Sequence, residues 1–251
     1  MRGMIERLLP DKGISHIFYV LLNLLLPALV YILVRTDLVL AAVIVMLMSK
    51  WRMFAVRPRF WWPNIRTNAV DILVGLSAIA FMYIYISDLP WFSLGIALLW
   101  AVWLLFIKPK TSVFWVSAQA FIAMVSSLIM VTMTYSAAPL WALVVIFGAV
   151  CFFTSHHFFY SFDEQYLRLL SYTWAYFGAA LMWVLGHWLI FYGVVSQPAL
   201  ILITLGLGLG SLYYLDHFEK LSNMIRRQII FILAMTLVVI IVFSDWGDKL
   251  V

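Results

Sequence analysis

Between Ile17 and Val34 the chain runs 18 residues without a charged side chain, and the stretches 113–135 and 140–160 are equally free of Asp, Glu, Lys and Arg. A helix needs about 20 consecutive apolar residues to cross the hydrocarbon core of a bilayer. Inside lipid the backbone has no water to bond to, so such runs are tolerated only as helices or closed barrels. The predicted fold is therefore all-α, a polytopic integral membrane bundle filling residues 1–251 as one transmembrane domain. Its nine predicted spans lie near 15–34, 37–50, 69–86, 91–107, 113–135, 140–160, 169–193, 199–215 and 229–243. The second is the shortest: its uncharged core, Leu38 to Ser49, has twelve residues, and eight spans remain if it does not cross. Composition agrees, with 66% hydrophobic and 11% charged residues against about 45–50% and about 25% in soluble domains.

Charge then orients the spans. With the N-terminus inside, Arg2, Arg7, Lys12, Lys50, Arg52, Arg57, Arg59, Arg66, Lys108, Lys110, Arg168, Lys220, Arg226 and Arg227 all fall on inner segments, and only Arg35 and Lys249 on outer ones. Basic residues in short loops stay cytoplasmic, so this bias predicts an N-terminus inside and a C-terminus outside, in the plasma (inner) membrane. The net charge of +5 reads as orientation and as contact with anionic inner-leaflet lipids, with no nucleic-acid partner. Residues 1–13 alternate charged and apolar groups, as a short helix on the inner surface would. No cleavable signal peptide is evident, because the first apolar run ends at Arg35 without a small-residue cleavage pattern. The single Cys151 excludes an intrachain disulfide.

Connections carry local signals. Residues 50–68 mix Lys50, Arg52, Arg57, Arg59 and Arg66 with Trp51, Trp61 and Trp62. Trp favours the headgroup region and Arg the phosphate, so this segment is predicted to lie as a loop in the interface, broken by Pro58 and Pro63. Three outer turns repeat one plan, a Tyr closing one helix and a Pro opening the next: Tyr85 to Pro90, Tyr135 to Pro139, Tyr192 to Pro198. Proline suits a helix's first turn, where its missing N–H would be unpaired anyway. Pro27 inside the first span leaves the Asn23 carbonyl without its donor.

Polar residues inside spans are expensive and are where function would show. Asp71, with Asn68 three residues before it, reads as an acid in the first turn of the third span, with Asp37 and Asp88 in similar places. His187 is placed deep in the seventh span, and with Asn23 and Gln119 it would line a polar cavity. His156, His157, Asp163 and Glu164 close the sixth span, and Asp216, His217 and Glu219 close the eighth. Histidines and carboxylates are the ligands zinc or iron would use. Yet His156 to Asp163 and His157 to Glu164 are seven apart, about 10.5 Å along a helix, so a site would require the two spans to meet. No metal or cofactor is assigned. Gly206 and Gly210 form a GxxxG face that brings helices together, with Gly208 expected to point away. Ala120, Ala123 and Ser127 offer another small face, and either serves packing or oligomerisation.

No motif identifies a reaction. Nucleophile elbows, phosphate loops, zincin helices and desaturase His boxes are all absent from the chain. Three readings stand. The first is a non-catalytic scaffold, assembly or partner-binding subunit, contacting a membrane-protein partner or its own copy, and little intramembrane charge favours it. The second is a small permease for an apolar or weakly polar solute. The third is a lipid-active enzyme using the inner-face His–carboxylate cluster. The topology itself is testable: a reporter fused at Val251 should be external, and a cytoplasmic signal there would overturn the nine-span order.

Overall fold

The computed structural model describes residues 14–188 and 190–244. The expected surface helix at 1–13 and the tail after Ser244 lie outside the described residues, as does the Arg52 side chain. Nine α-helices form among the described residues: α1 (Ile14–Arg35), α2 (Val39–Met48), α3 (Trp61–Tyr85), α4 (Pro90–Val102), α5 (Val113–Tyr135), α6 (Leu140–Tyr160), α7 (Leu167–Leu185), α8 (Gln197–His217) and α9 (Asn223–Val242). Seven helical segments are long and apolar enough to cross a membrane; α2 and α7 are not among them. The all-α expectation holds, with one small exception. Phe191–Tyr192 pairs antiparallel with Val195–Ser196.

That hairpin corrects the seventh span. Helix α7 ends at Leu185, with Gly186 as its cap. The apolar residues that follow fold back through a two-residue turn whose first position, Gly193, has φ 63°. Glycine adopts positive φ without a Cβ clash, and Gly-X is a favoured hairpin turn. Hydropathy cannot separate an apolar hairpin from one more turn of helix. Tyr192 therefore lies on a strand, whereas Tyr85 and Tyr135 end their helices as expected.

A second correction concerns residues 50–68. Only the first part is a loop, with short 3₁₀ turns at Trp51–Met53 and Pro58–Phe60. From Trp61 onward the chain is already α3, and Pro63 sits in its first turn, where proline is tolerated. Helix α3 thus begins eight residues before the predicted span.

The chain divides into two compact units, 1–119 and 120–251, with the boundary inside α5. In the first, α2 runs antiparallel to α3: Met46 lies against Gly75, Lys50 bonds Asp71, and the Met53 carbonyl accepts from Asn64 at 3.3 Å. Helix α4 returns along α3 in turn, with the Ser93 hydroxyl donating to the Met82 carbonyl at 3.0 Å. Side chains Val30, Val34, Met46, Ile79, Met82 and Leu104 are nearly inaccessible and form the core.

The second unit is held by small residues. A Cβ on Gly148 of α6 would sit 3.3 Å from that of Ala179 on α7, and one on Gly178 of α7 would collide with the Cys151 sulfur of α6. These two helices pack backbone to backbone, which raises dispersion attraction where lipid supplies no hydrophobic force. The buried Cys151 is a packing residue against Gly178. Helix α8 contributes its glycines differently from expectation. Gly206 faces Met124 of α5, and Gly210 has only the Phe158 ring, 3.9 Å from where its Cβ would stand. Gly208 points at Leu233 of α9, and a Cβ there would come within 2.8 Å of the leucine methyl. The expectation that Gly208 faces away is overturned, because α8 has neighbours on two sides.

Gly178→Ala is expected to lower the unfolding temperature in detergent, with an overpacking cost of about 1–3 kcal/mol, and Cys151→Ala in the same chain should recover part of the loss. Gly95, with nothing within 4 Å of its would-be Cβ, should accept Ala without penalty. Equal stability of all three variants would refute the close α6–α7 contact.

Candidate functional site

Starting α3 at Trp61 moves Asp71 away from any helix end. It lies ten residues in, about 15 Å along the axis, and is 8% exposed. The reading of Asp71 as a first-turn acid is thereby corrected. Asn68 does not cap it: the Asn68 amide donates to the Asn64 carbonyl at 2.9 Å, one turn back. Asp37 and Asp88 fall in turns just before α2 and α4, whose N-caps are Leu38 and Leu89. Asp37 adopts φ 61°, and Asp88 accepts from the Ser87 hydroxyl at 3.1 Å.

A carboxylate so placed must find its counter-charge inside the protein, and it finds two. One oxygen, Oδ2, takes the Lys50 ammonium in a short contact and the Lys108 ammonium at 2.6 Å. The other, Oδ1, accepts the Trp103 indole N–H at 2.9 Å. Lys50 follows α2, Asp71 sits on α3, and Trp103 and Lys108 bracket the end of α4, so the cluster ties three helices together. The Lys50 side chain is 10% exposed. Its predicted contact with lipid headgroups is therefore corrected, since a buried carboxylate draws it inward.

The end of α4 explains how two residues five apart reach one partner. Residues Trp103–Ile107 form a π turn, with Lys108 N donating to the Trp103 carbonyl at 2.9 Å. In an ordinary α-helix, residues five apart diverge by about 140°; the π hydrogen bond stacks them instead. The helix end leaves carbonyls without intrahelical donors. Gln119 meets two of them, donating to Ile107 O at 2.7 Å and Lys110 O at 3.0 Å. Its place is thus at a helix end, beside the backbone that carries Lys108.

Two lysines thus share one carboxylate oxygen. Burial works against the charged form of Lys108, but the Asp71 carboxylate outweighs it and holds that ammonium above the usual lysine value. One turn further along α3, a Cβ on Gly75 would lie 3.2 Å from Met46 and 3.3 Å from the Trp100 ring. Three helices therefore close directly beyond the cluster. On its other side lie exposed Trp51, Phe60, Trp61 and Trp62 with exposed Arg57 and Arg59, and Arg66 over the Trp62 ring at 5.9 Å.

In the second unit, α6 and α8 do meet at their ends, through aromatic rings. Phe159 and Phe162 stand edge-on to Tyr213 at 5.1 Å each, and His217 packs on Phe162 at 4.9 Å. The Tyr213 hydroxyl donates to Glu164 in a short hydrogen bond, which holds that carboxyl below the usual range. His156 belongs to another column, between Phe152 and Tyr160 of its own helix. His157 is half-buried on α6, Asp163 and Glu219 occupy left-handed turns at φ 52° and 55°, and exposed Asp216 faces Arg226 at 3.9 Å. Among the described residues, no three His, Cys, Asp or Glu side chains are grouped to hold a metal ion.

The intramembrane candidates also move. His187 lies beyond the end of α7, exposed and edge-on to Trp183 at 5.9 Å, so its placement deep in a span is corrected. Asn23 donates to the Tyr19 carbonyl at 2.8 Å on α1. Sequence reasoning passed over Lys108, Trp103 and Tyr213. It also passed over a buried knot in which Gln197 donates to Ser244 at 2.6 Å and the Tyr192 hydroxyl donates to the Ile240 carbonyl at 2.9 Å. Comparison with known proteins returns no match among protein families, curated proteins or solved structures.

Asp71→Asn keeps the acceptor for Trp103 and removes the counter-charge. It should cost about 3–5 kcal/mol, the penalty for an unpaired buried ion, read as a lower unfolding temperature in detergent. Adding Lys50→Met to Asp71→Asn should recover much of it. Unchanged stability of Asp71→Asn would show that the carboxylate is not the keystone of the first unit.

Proposed function

We propose that this chain is a multi-pass protein of the plasma (inner) membrane acting as a non-catalytic scaffold, assembly or partner-binding subunit. Its N-terminus is cytoplasmic and its C-terminus external. The charge partition supports the orientation. The second span is supported by the antiparallel register along α3. Helix α2 has ten residues, about 15 Å, but the chain continues through Lys50 and Met53 beside Asp71 and Asn64. Helix and 3₁₀ turn together carry the segment along α3.

One observation carries the functional reading. The single buried carboxylate of the described residues, Asp71, is committed on both oxygens, and beyond it a Cβ on Gly75 would stand 3.2 Å from Met46 and 3.3 Å from the Trp100 ring. Transport of protons or polar solutes calls for an ionisable group with access to both sides, whereas Asp71 is 8% exposed with both oxygens engaged. Gln119, placed at a helix end, and His187, placed outside its helix, weaken the cavity on which a permease reading depended.

Proteoliposomes holding the purified chain should show no proton flux, reported by an enclosed pH-sensitive dye, under an imposed gradient. In native membranes the chain should migrate in an assembly larger than its monomer. A flux that Asp71→Asn abolishes would replace the scaffold reading with transport.

A further inference from the structure

We infer that Lys108, backed by the Lys50–Asp71 pair, forms a binding site for a single phosphate-bearing anion, supplied by the headgroup of an anionic lipid. The inference rests on the membrane placement proposed above, in which the cluster opens toward the inner leaflet. Asp71 takes both the Lys50 and the Lys108 side chains on the same oxygen. The other described acidic residues of this unit, Asp37 and Asp88, sit in the turns at the opposite ends of the helices. Among the described residues of this unit, no second carboxylate joins the two lysines.

Geometry says which ammonium meets the anion. An ammonium has three donors. The Lys50 side chain is enclosed at 10% exposure, whereas Lys108 stands at 35% and spends one contact on Asp71. Lys50 and Tyr19 of α1 also lie within its electrostatic reach. Gln119 and the π turn fix the backbone on either side of Lys108, so the group is held in place rather than swinging on a free loop. A lysine binds phosphate as a point charge, and anionic headgroups are concentrated at the cytoplasmic leaflet. The exposed arginines Arg57 and Arg59 lack this enclosure and would contact headgroups without selecting one.

The test uses purified full-length chain in detergent with dioctanoyl phosphatidylglycerol, dioctanoyl phosphatidylcholine or inorganic phosphate, read by native mass spectrometry and by unfolding temperature. One phosphatidylglycerol per chain should be retained at least tenfold better than phosphatidylcholine. Lys108→Gln should lose that preference, Lys108→Arg should keep it, and Arg35→Gln should leave it unchanged. Equal retention of the two lipids by the unmodified chain would overturn the site, even where Lys108→Gln fails to fold. So would full retention by a folded Lys108→Gln. Stabilisation by inorganic phosphate alone, equal to that by phosphatidylglycerol, would overturn the lipid as its source. Binding in detergent does not depend on orientation or on transport, so its failure is separate from a failure of the scaffold reading.

Discussion

A carboxylate buried among helices determines much of the first unit. Asp71 cannot be left ionised and alone in a low-dielectric interior, where desolvating a charge costs several kcal/mol even after relaxation. Its solution draws in Lys50 from the end of α2, Lys108 from beyond α4, and the Trp103 indole from the π turn between. Each partner constrains a backbone. Lys50 holds the short second helix in register with α3, and Lys108 requires the π turn, whose trailing carbonyls in turn require Gln119. The chain of dependence runs from one charge to three helices and a capping amide.

The second unit answers the same environment with shape instead of charge. Helices α6 and α7 meet through Gly148, Gly178, Ala179 and Cys151, and a methyl added at Gly178 would collide with the Cys151 sulfur. Close backbone approach replaces the hydrophobic drive that lipid cannot provide. Polar groups concentrate at the ends of this unit: Tyr213 with Glu164 at one, and Tyr192, Gln197 and Ser244 at the other. At the first of these ends aromatic rings fill the space between α6 and α8, and His156 and His217 stand in separate columns.

Much of the fold was legible because the bilayer leaves few options. Apolar runs of span length, the Tyr and Pro at helix borders, and the helical class all follow from satisfying the backbone in lipid. The misplaced helix ends share one cause. Hydropathy reports whether residues are apolar and says little about where a helix starts or stops. It placed the start of α3 eight residues late, which put Asp71 in a first turn, and it extended α7 through an apolar hairpin, which put His187 in a span. Gly208 was misread because helix periodicity alone does not reveal how many neighbours a helix has.

The candidate site was visible only in part. A bundle of apolar helices, with basic residues gathered in alternate connections, can be read from the residues alone, since length, charge and hydropathy are local quantities. That Asp71, Lys50 and Lys108, up to 58 positions apart, meet at one buried carboxylate emerges only in three dimensions. That pairing depends on the register of α2 against α3 and on a π turn, and neither leaves a periodic signal in the residues that form it.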